Sequence, residues 1–97
     1  VFANLMDVDD RGIQALLREV STEILVVALK GADEELREKI FGNMSSRAAD
    51  LLRDDLEALG PMKLTDVETA QKEILVIARR MADAGDIVLG GSGEEML

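Results

Sequence analysis

Neither cysteine nor histidine occurs in the chain. Their absence removes disulfides, thiolate metal sites, and nucleophilic catalysis of the Cys-His or Ser-His-Asp kind. It also fits a cytoplasmic setting, where thiols are not needed as cross-links. Aromatic residues are nearly missing, with Phe2 and Phe41 the only two, and Pro61 is the only proline. No apolar run nears the roughly 20 residues that span a bilayer. Val1–Asp10 carries acidic charges and does not read as a signal peptide. Positive charge is scarce as well: 11 basic residues face 20 acidic ones, a net charge of −9. Phosphate backbones and anionic lipid surfaces repel such a chain, which argues against nucleic-acid and membrane-surface partners. A partner of basic or mixed charge is favoured instead.

What remains is rich in helix formers. Ninety-seven residues, 47 % of them apolar, allow one domain with one modest core. The apolar residues are mostly Leu, Ile, Val and Ala, which with few breakers favours an all-α domain.

Residues Val1–Val8 begin apolar and irregular, and read as the cut edge of a longer chain. Asp9 or Asp10 can cap a helix running to about Val20, whose Ile13, Leu16, Leu17 and Val20 make a core-facing stripe. Asp7-x-Asp9 followed by Gly12 has the outline of a calcium loop, but Arg11 occupies a ligand position and Arg18 replaces the closing glutamate. No metal site or cofactor is expected. Ser21 and Gly31 bracket Thr22–Lys30, a helix apolar on all sides over Ile24–Leu29. Such a helix has to be covered by its neighbours, so it is expected at the centre. Lys30 closes it, placed to satisfy the carbonyl end of the helix dipole. Asp33–Asn43 reads as a third helix with Leu36, Ile40 and Met44 as its stripe and Phe41 beside them.

The fourth helix, Ser45–Leu59, carries both signs of charge. With about 100° of turn per residue, Ala48, Leu52, Leu56 and Leu59 share one side. Arg47 and Asp54, seven residues apart, project about 20° from each other on the opposite side. Asp50 and Glu57 flank them, and Asp55 lies near the edge of the apolar stripe beside Leu51. Gly60-Pro61 stops the helix. Thr65-x-x-Glu68 reads as a capping box opening the longest helix, with Val67, Ala70, Ile74, Ile77, Ala78 and Met81 buried. Glu68–Lys72 makes a favourable i, i+4 pair. It ends near Ala84-Gly85. Asp86–Leu89 follows as a short extended piece, and residues 90–97 as a flexible tail.

This ordered set of stretches resembles the C-terminal domain of the flagellar motor switch protein family FliG. The resemblance is carried by Asp9-Asp10-Arg11, Ile13-Gln14, Leu17-Arg18-Glu19-Val20, Ala28-Leu29-Lys30-Gly31-Ala32, Leu36-Arg37-Glu38-Lys39 and Asn43-Met44-Ser45. It continues through Arg47-Ala48-Ala49, Leu52-Arg53-Asp54-Asp55-Leu56, Gly60-Pro61, Val67-Glu68, Gln71-Lys72 and Ile74. It covers almost the whole chain, 1–97.

The resemblance implies an all-α fold of five or six helices in a compact right-handed array with an armadillo-like first part. It implies a rotor component on the cytoplasmic face of the inner membrane, in the ring at the base of the flagellum, and not an enzyme. The implied partners are the cytoplasmic loop of the stator protein MotA, the switch protein FliM and neighbouring FliG subunits. Five charges of the family that meet the stator fall here on Lys30, Arg47, Asp54, Asp55 and Lys63. Lys63 departs from the arginine frequent in relatives and lacks its planar fork. Of the family's Met-Phe-x-Phe hinge only Val1-Phe2 remains, which makes residues 1–8 a hinge remnant.

Each of these residues also has a local reading. Arg47 can pair with Asp50 or Asp54 on its own helix. Asp55 can form a structural salt bridge beside the apolar stripe. Lys63, ahead of a capped helix, can be simply solvated. The rival for the whole chain is a helical adaptor that docks a partner in an apolar groove, built from Ile24–Leu29 and Met62, Met81 or Met96. Acid–base catalysis is remote, because Asp54 and Asp55 diverge by about 100° on a helix.

Overall fold

In the computed structural model, which describes residues 2–88, every regular element is helical. A 3-10 helix, Phe2–Asp7, precedes α1 (Asp10–Glu19), α2 (Thr22–Lys30), α3 (Glu34–Gly42), α4 (Ser46–Ala58) and α5 (Leu64–Asp83). The all-α architecture of five or six helices is what the chain adopts. The glycine-rich stretch expected as a flexible tail, together with Leu89 and Met96, lies outside the described residues.

Short polar side chains start the first four α-helices. The Asp9 carboxylate accepts from the Gly12 N–H at 2.9 Å, and Ser21 Oγ accepts from Ile24 at 3.4 Å. Asp33 accepts from Leu36 at 3.0 Å, and Ser45 Oγ from Ala48 at 3.2 Å. Each satisfies one donor that the first helical turn leaves unpaired. Gly60 and Gly85 end α4 and α5 at positive φ, 70° and 84°, where a side chain would strain the backbone.

One core gathers residues from every element. Leu5, Val8, Ile13, Leu29, Leu36, Leu52 and Ile74 are its most completely buried large side chains. Fully burying one such side chain contributes about 1.5–3 kcal/mol. Helix α2 is central, as its all-round apolarity requires: Leu25, Val26, Ala28 and Leu29 are buried, and α5 and α4 pack against it. Its covering is incomplete, since Ile24 and Val27 stay half-buried.

Three local expectations give way. The start is not irregular: in the 3-10 helix Phe2 and Leu5 lie three residues apart, with Val8 three further on. At three residues per turn that spacing aligns them, and all three are buried. The capping box does not form. Helix α5 begins at Leu64 with Lys63 as its N-cap and no side-chain cap; Thr65 lies inside the first turn, its carbonyl accepting from Thr69 Oγ1 at 2.8 Å. Nor do Glu68 and Lys72 close to within 4.0 Å of each other. Gly31 closes α2 as expected, at φ −101°. Its small size serves packing, because a Cβ there would sit 2.6 Å from Val67 Cγ1 and 3.0 Å from Gln71 Nε2.

Candidate functional site

Helix α4 buries Ala49 and Leu52 and half-buries Ala48, Leu56 and Leu59. The buried side is therefore turned slightly from the expected stripe, toward Ala49. Arg53 bridges α4 to α3. Its guanidinium carbon stands 4.6 Å from the centroid of the Phe41 ring. Its nitrogens reach Glu38 at 3.9 Å and Asp50 at 3.5 Å. A flat, weakly hydrated cation suits that position over a ring.

The opposite side of α4 is the charged one. Arg47, Asp54 and Asp55 are all exposed. Arg47 and Asp54 lie about 10 Å apart along the axis and project within about 20° of each other. Leu51, 59 % exposed, projects between Asp55 and that pair. It is a solvent-facing residue among the charges, not a neighbour of a buried Asp55.

Lys30 and Lys63 come from other elements. Lys30, half-buried, is the last residue of α2, and exposed Lys63 is the residue before α5. The two helix ends lie together, since Gly31 abuts Val67 and Gln71 Nε2 donates to the Ala28 carbonyl at 3.1 Å. Lys30 does not satisfy the carbonyl end of α2. Arg37 does so, donating from Nε to the Leu29 carbonyl at 2.8 Å and from Nη2 to the Lys30 carbonyl at 3.1 Å. The Lys30 ammonium is thereby relieved of that task. The signal for Arg37 was present in the sequence: α2 ends with unpaired carbonyls, and a long, forked donor follows the short turn.

Lys39 of α3 and its C-cap Asn43 are engaged internally. Lys39 Nζ donates to the Met6 carbonyl at 3.0 Å, tying α3 to the 3-10 helix. Asn43 donates to the Lys39 carbonyl at 2.8 Å and to Asp10 at 3.1 Å, and accepts from Gln14 at 3.0 Å. By contrast, among the described residues Lys30, Arg47, Asp54, Asp55 and Lys63 have no oppositely charged group within 4.0 Å. The local alternatives for Arg47 and Asp55 lack a partner there: Asp50 is taken by Arg53. The described residues hold no cluster of three or more His, Cys, Asp or Glu able to bind a metal. None of their helices is long and apolar enough to cross a membrane.

A shallow groove of about 310 Å³ runs between α2 and α5. Ile24, Val27, Met62 and Ala70 form its floor, and Glu23, Asp66 and Glu73 its rim. Met62 thus contributes as the adaptor reading expects. Met81 does not line it, and packs half-buried against the core.

Known proteins share this helical fold. The family described as FliG C-terminal domain matches residues 1–89. The chain is 74 % identical over 98 aligned residues to the flagellar motor switch protein FliG of Pseudomonas aeruginosa, covering 100 % of this chain and 29 % of that protein. It is 65 % identical over 97 residues to the FliG of Vibrio cholerae, covering 100 % and 28 %. Among solved structures, a crystallised part of FliG from H. pylori superposes with a TM-score of 0.90 at 32 % identity, covering 92 % of this chain and 39 % of that one. Full-length FliG from Aquifex aeolicus superposes at 0.86 with 40 % identity, covering 90 % and 27 %. The chain therefore spans less than a third of the length of these curated relatives.

Proposed function

Because the chain belongs to the FliG C-terminal domain family, we propose that it is the torque-receiving part of a flagellar rotor, engaged through the outer side of α4 and the two lysines beside it. The whole chain, 1–97, forms that domain, with residues 1–8 the remnant of a hinge. It works at the basal body, in the ring on the cytoplasmic face of the inner membrane. Its partners are the cytoplasmic loop of the stator protein MotA, the switch protein FliM and neighbouring FliG subunits. The role is mechanical and not enzymatic, with energy entering through ion flow in the stator.

The observation that carries this reading is the unpaired state of Lys30, Arg47, Asp54, Asp55 and Lys63 among the described residues, while Arg37, Arg53 and Lys39 near them are committed to internal partners. A charge bound inside the molecule is lost to a partner; these five are not. The magnitudes suit a moving contact. An exposed ion pair is worth roughly 0–1 kcal/mol, and its reach decays over about 8 Å at physiological salt. Several weak pairs of mixed sign can guide a passing surface and still release it. Single neutralisations at Arg47, Asp54 or Asp55 then give graded losses of swimming speed. The double reversal Arg47→Asp with Asp54→Arg abolishes swimming while filaments still assemble. Normal rotation in that double variant would remove the basis of the assignment.

The groove between α2 and α5 supports a second reading, an adaptor surface for a helical segment. Salt separates the two, since added salt weakens a charge-led contact and leaves an apolar one in place.

A further inference from the structure

We propose that the α2–α5 groove is a docking site for one helical segment of a partner, apolar on one face, basic at one end and acidic at the other. The inference rests on the adaptor reading of that groove; it needs nothing from the outer side of α4, and shares only Lys30 and Lys63 with the stator reading.

Three features define the occupant. The first is an uncovered apolar floor. Ile24 and Val27 are left half-buried on a helix otherwise sheathed by its neighbours, and Met62 lies half-buried across from them. Methionine is a pliable contact that adjusts to the side chain placed on it. The second is the charge of the rim. Glu23, Asp66 and Glu73 are exposed and, among the described residues, have no cation within 4.0 Å. The third is polarity along the groove. Gly31 opposite Val67 and Ala28 bonded to Gln71 make α2 and α5 antiparallel. Glu23 and Glu73 therefore share one end. The other end holds Asp66, next to Val67, and is flanked by Lys30 and Lys63, which do not line the groove; it carries one net positive charge against two negative ones at the first.

From Glu23 to Lys30 is seven residues, about 10 Å of helix axis. That length matches two turns of a partner helix, whose large apolar side chains at i and i+4 fall on the floor. A groove this shallow admits side chains and does not enclose a small molecule. Two acids at one end, and two lysines beside Asp66 at the other, select a segment with Lys or Arg over Glu23 and Glu73 and a single Asp or Glu over Lys30 and Lys63. A uniformly acidic helix meets repulsion from the rim.

The test uses the full chain and two fluorescently labelled amphipathic peptides with the same leucines at i and i+4. One is basic at one end and acidic at the other; in its control every basic residue is replaced by Glu. We expect the mixed peptide alone to bind, shifting the amide signals of Ile24, Val27, Asp66 and Ala70. Glu23→Lys with Glu73→Lys should weaken it by about tenfold, the scale of one or two lost charge contacts. Glu34→Lys with Glu35→Lys on α3 changes the net charge equally and should leave affinity as it was. Met62→Asp should weaken binding at high salt as well. Equal effects of the α3 and groove reversals, equal binding of the two peptides, or amide shifts centred away from α2 and α5 would overturn the proposal. The shift mapping on the unmodified chain decides the matter even if a variant fails to fold.

Discussion

A single methyl group does not fit at position 31. The would-be Cβ lies 2.6 Å from Val67 Cγ1, while the backbone there, at φ −101°, suits any residue. Overpacking of this kind costs about 1–3 kcal/mol. Gly31→Ala should therefore lower the urea midpoint. Val67→Ala in the same background should recover part of the loss, so that the two substitutions are less than additive. From the sequence, Gly31 was legible as the end of a helix but not as a contact, because its neighbour lies in α5, 36 residues away. Long-range apposition leaves no local pattern. The same limit hid Arg53, whose partners Phe41 and Glu38 belong to the preceding helix.

At the scale of the element, what begins and ends each helix separates real signals from look-alikes. Ser45 holds the N-cap of α4 with its hydroxyl on the Ala48 N–H. Ser45→Ala should cost about 0.5–2 kcal/mol, as cap removals do. Thr65→Ala should cost less, since Thr65 sits within the first turn of α5 and caps nothing. Paired denaturation curves check the difference, and equal losses would restore the capping box. Arg37 is the larger test. It supplies two donors to the last carbonyls of α2, and charge-assisted bonds are worth about 1.5–3 kcal/mol each. Arg37→Ala should destabilise the fold by about 1–3 kcal/mol, less than two full bonds, because both bonds are only part-buried and water takes up some of the lost donation. Arg37→Lys should restore only part, because an ammonium cannot serve two carbonyls with a planar fork. The helices themselves were legible because their caps and apolar spacing are local. The capping box misled because its four-residue pattern falls two residues after the true N-cap, Lys63. The 3-10 helix was missed because Phe2, Leu5 and Val8 repeat every three residues, a spacing that helix reading at 3.6 passes over.

In the whole molecule the core and the charged surface divide one small helical array between them. Six helical elements share one core in which α4 and α5 pack against α2, and Arg37 and Gln71 bond the carbonyls at the end of α2. The outer side of α4, Lys30 and Lys63 are among the charges without an ion-pair partner in the described residues. That Arg47 and Asp54 share a side was readable from their spacing alone. That Asp55 has no internal partner was not, since the residue next to it on the wheel, Leu51, turned out to face solvent. Cysteine-free chemistry makes the central assignment directly testable, because any introduced thiol is the only one in this chain. The decisive measurement is disulfide crosslinking in cells between single cysteines at Arg47 or Asp54 and a cysteine in the stator loop, with Arg79→Cys on α5 as the comparison. If the outer side of α4 meets the stator, crosslinked product forms at 47 and 54 and little at 79. Absence of product at both α4 positions, or equal yield at 79, would contradict it.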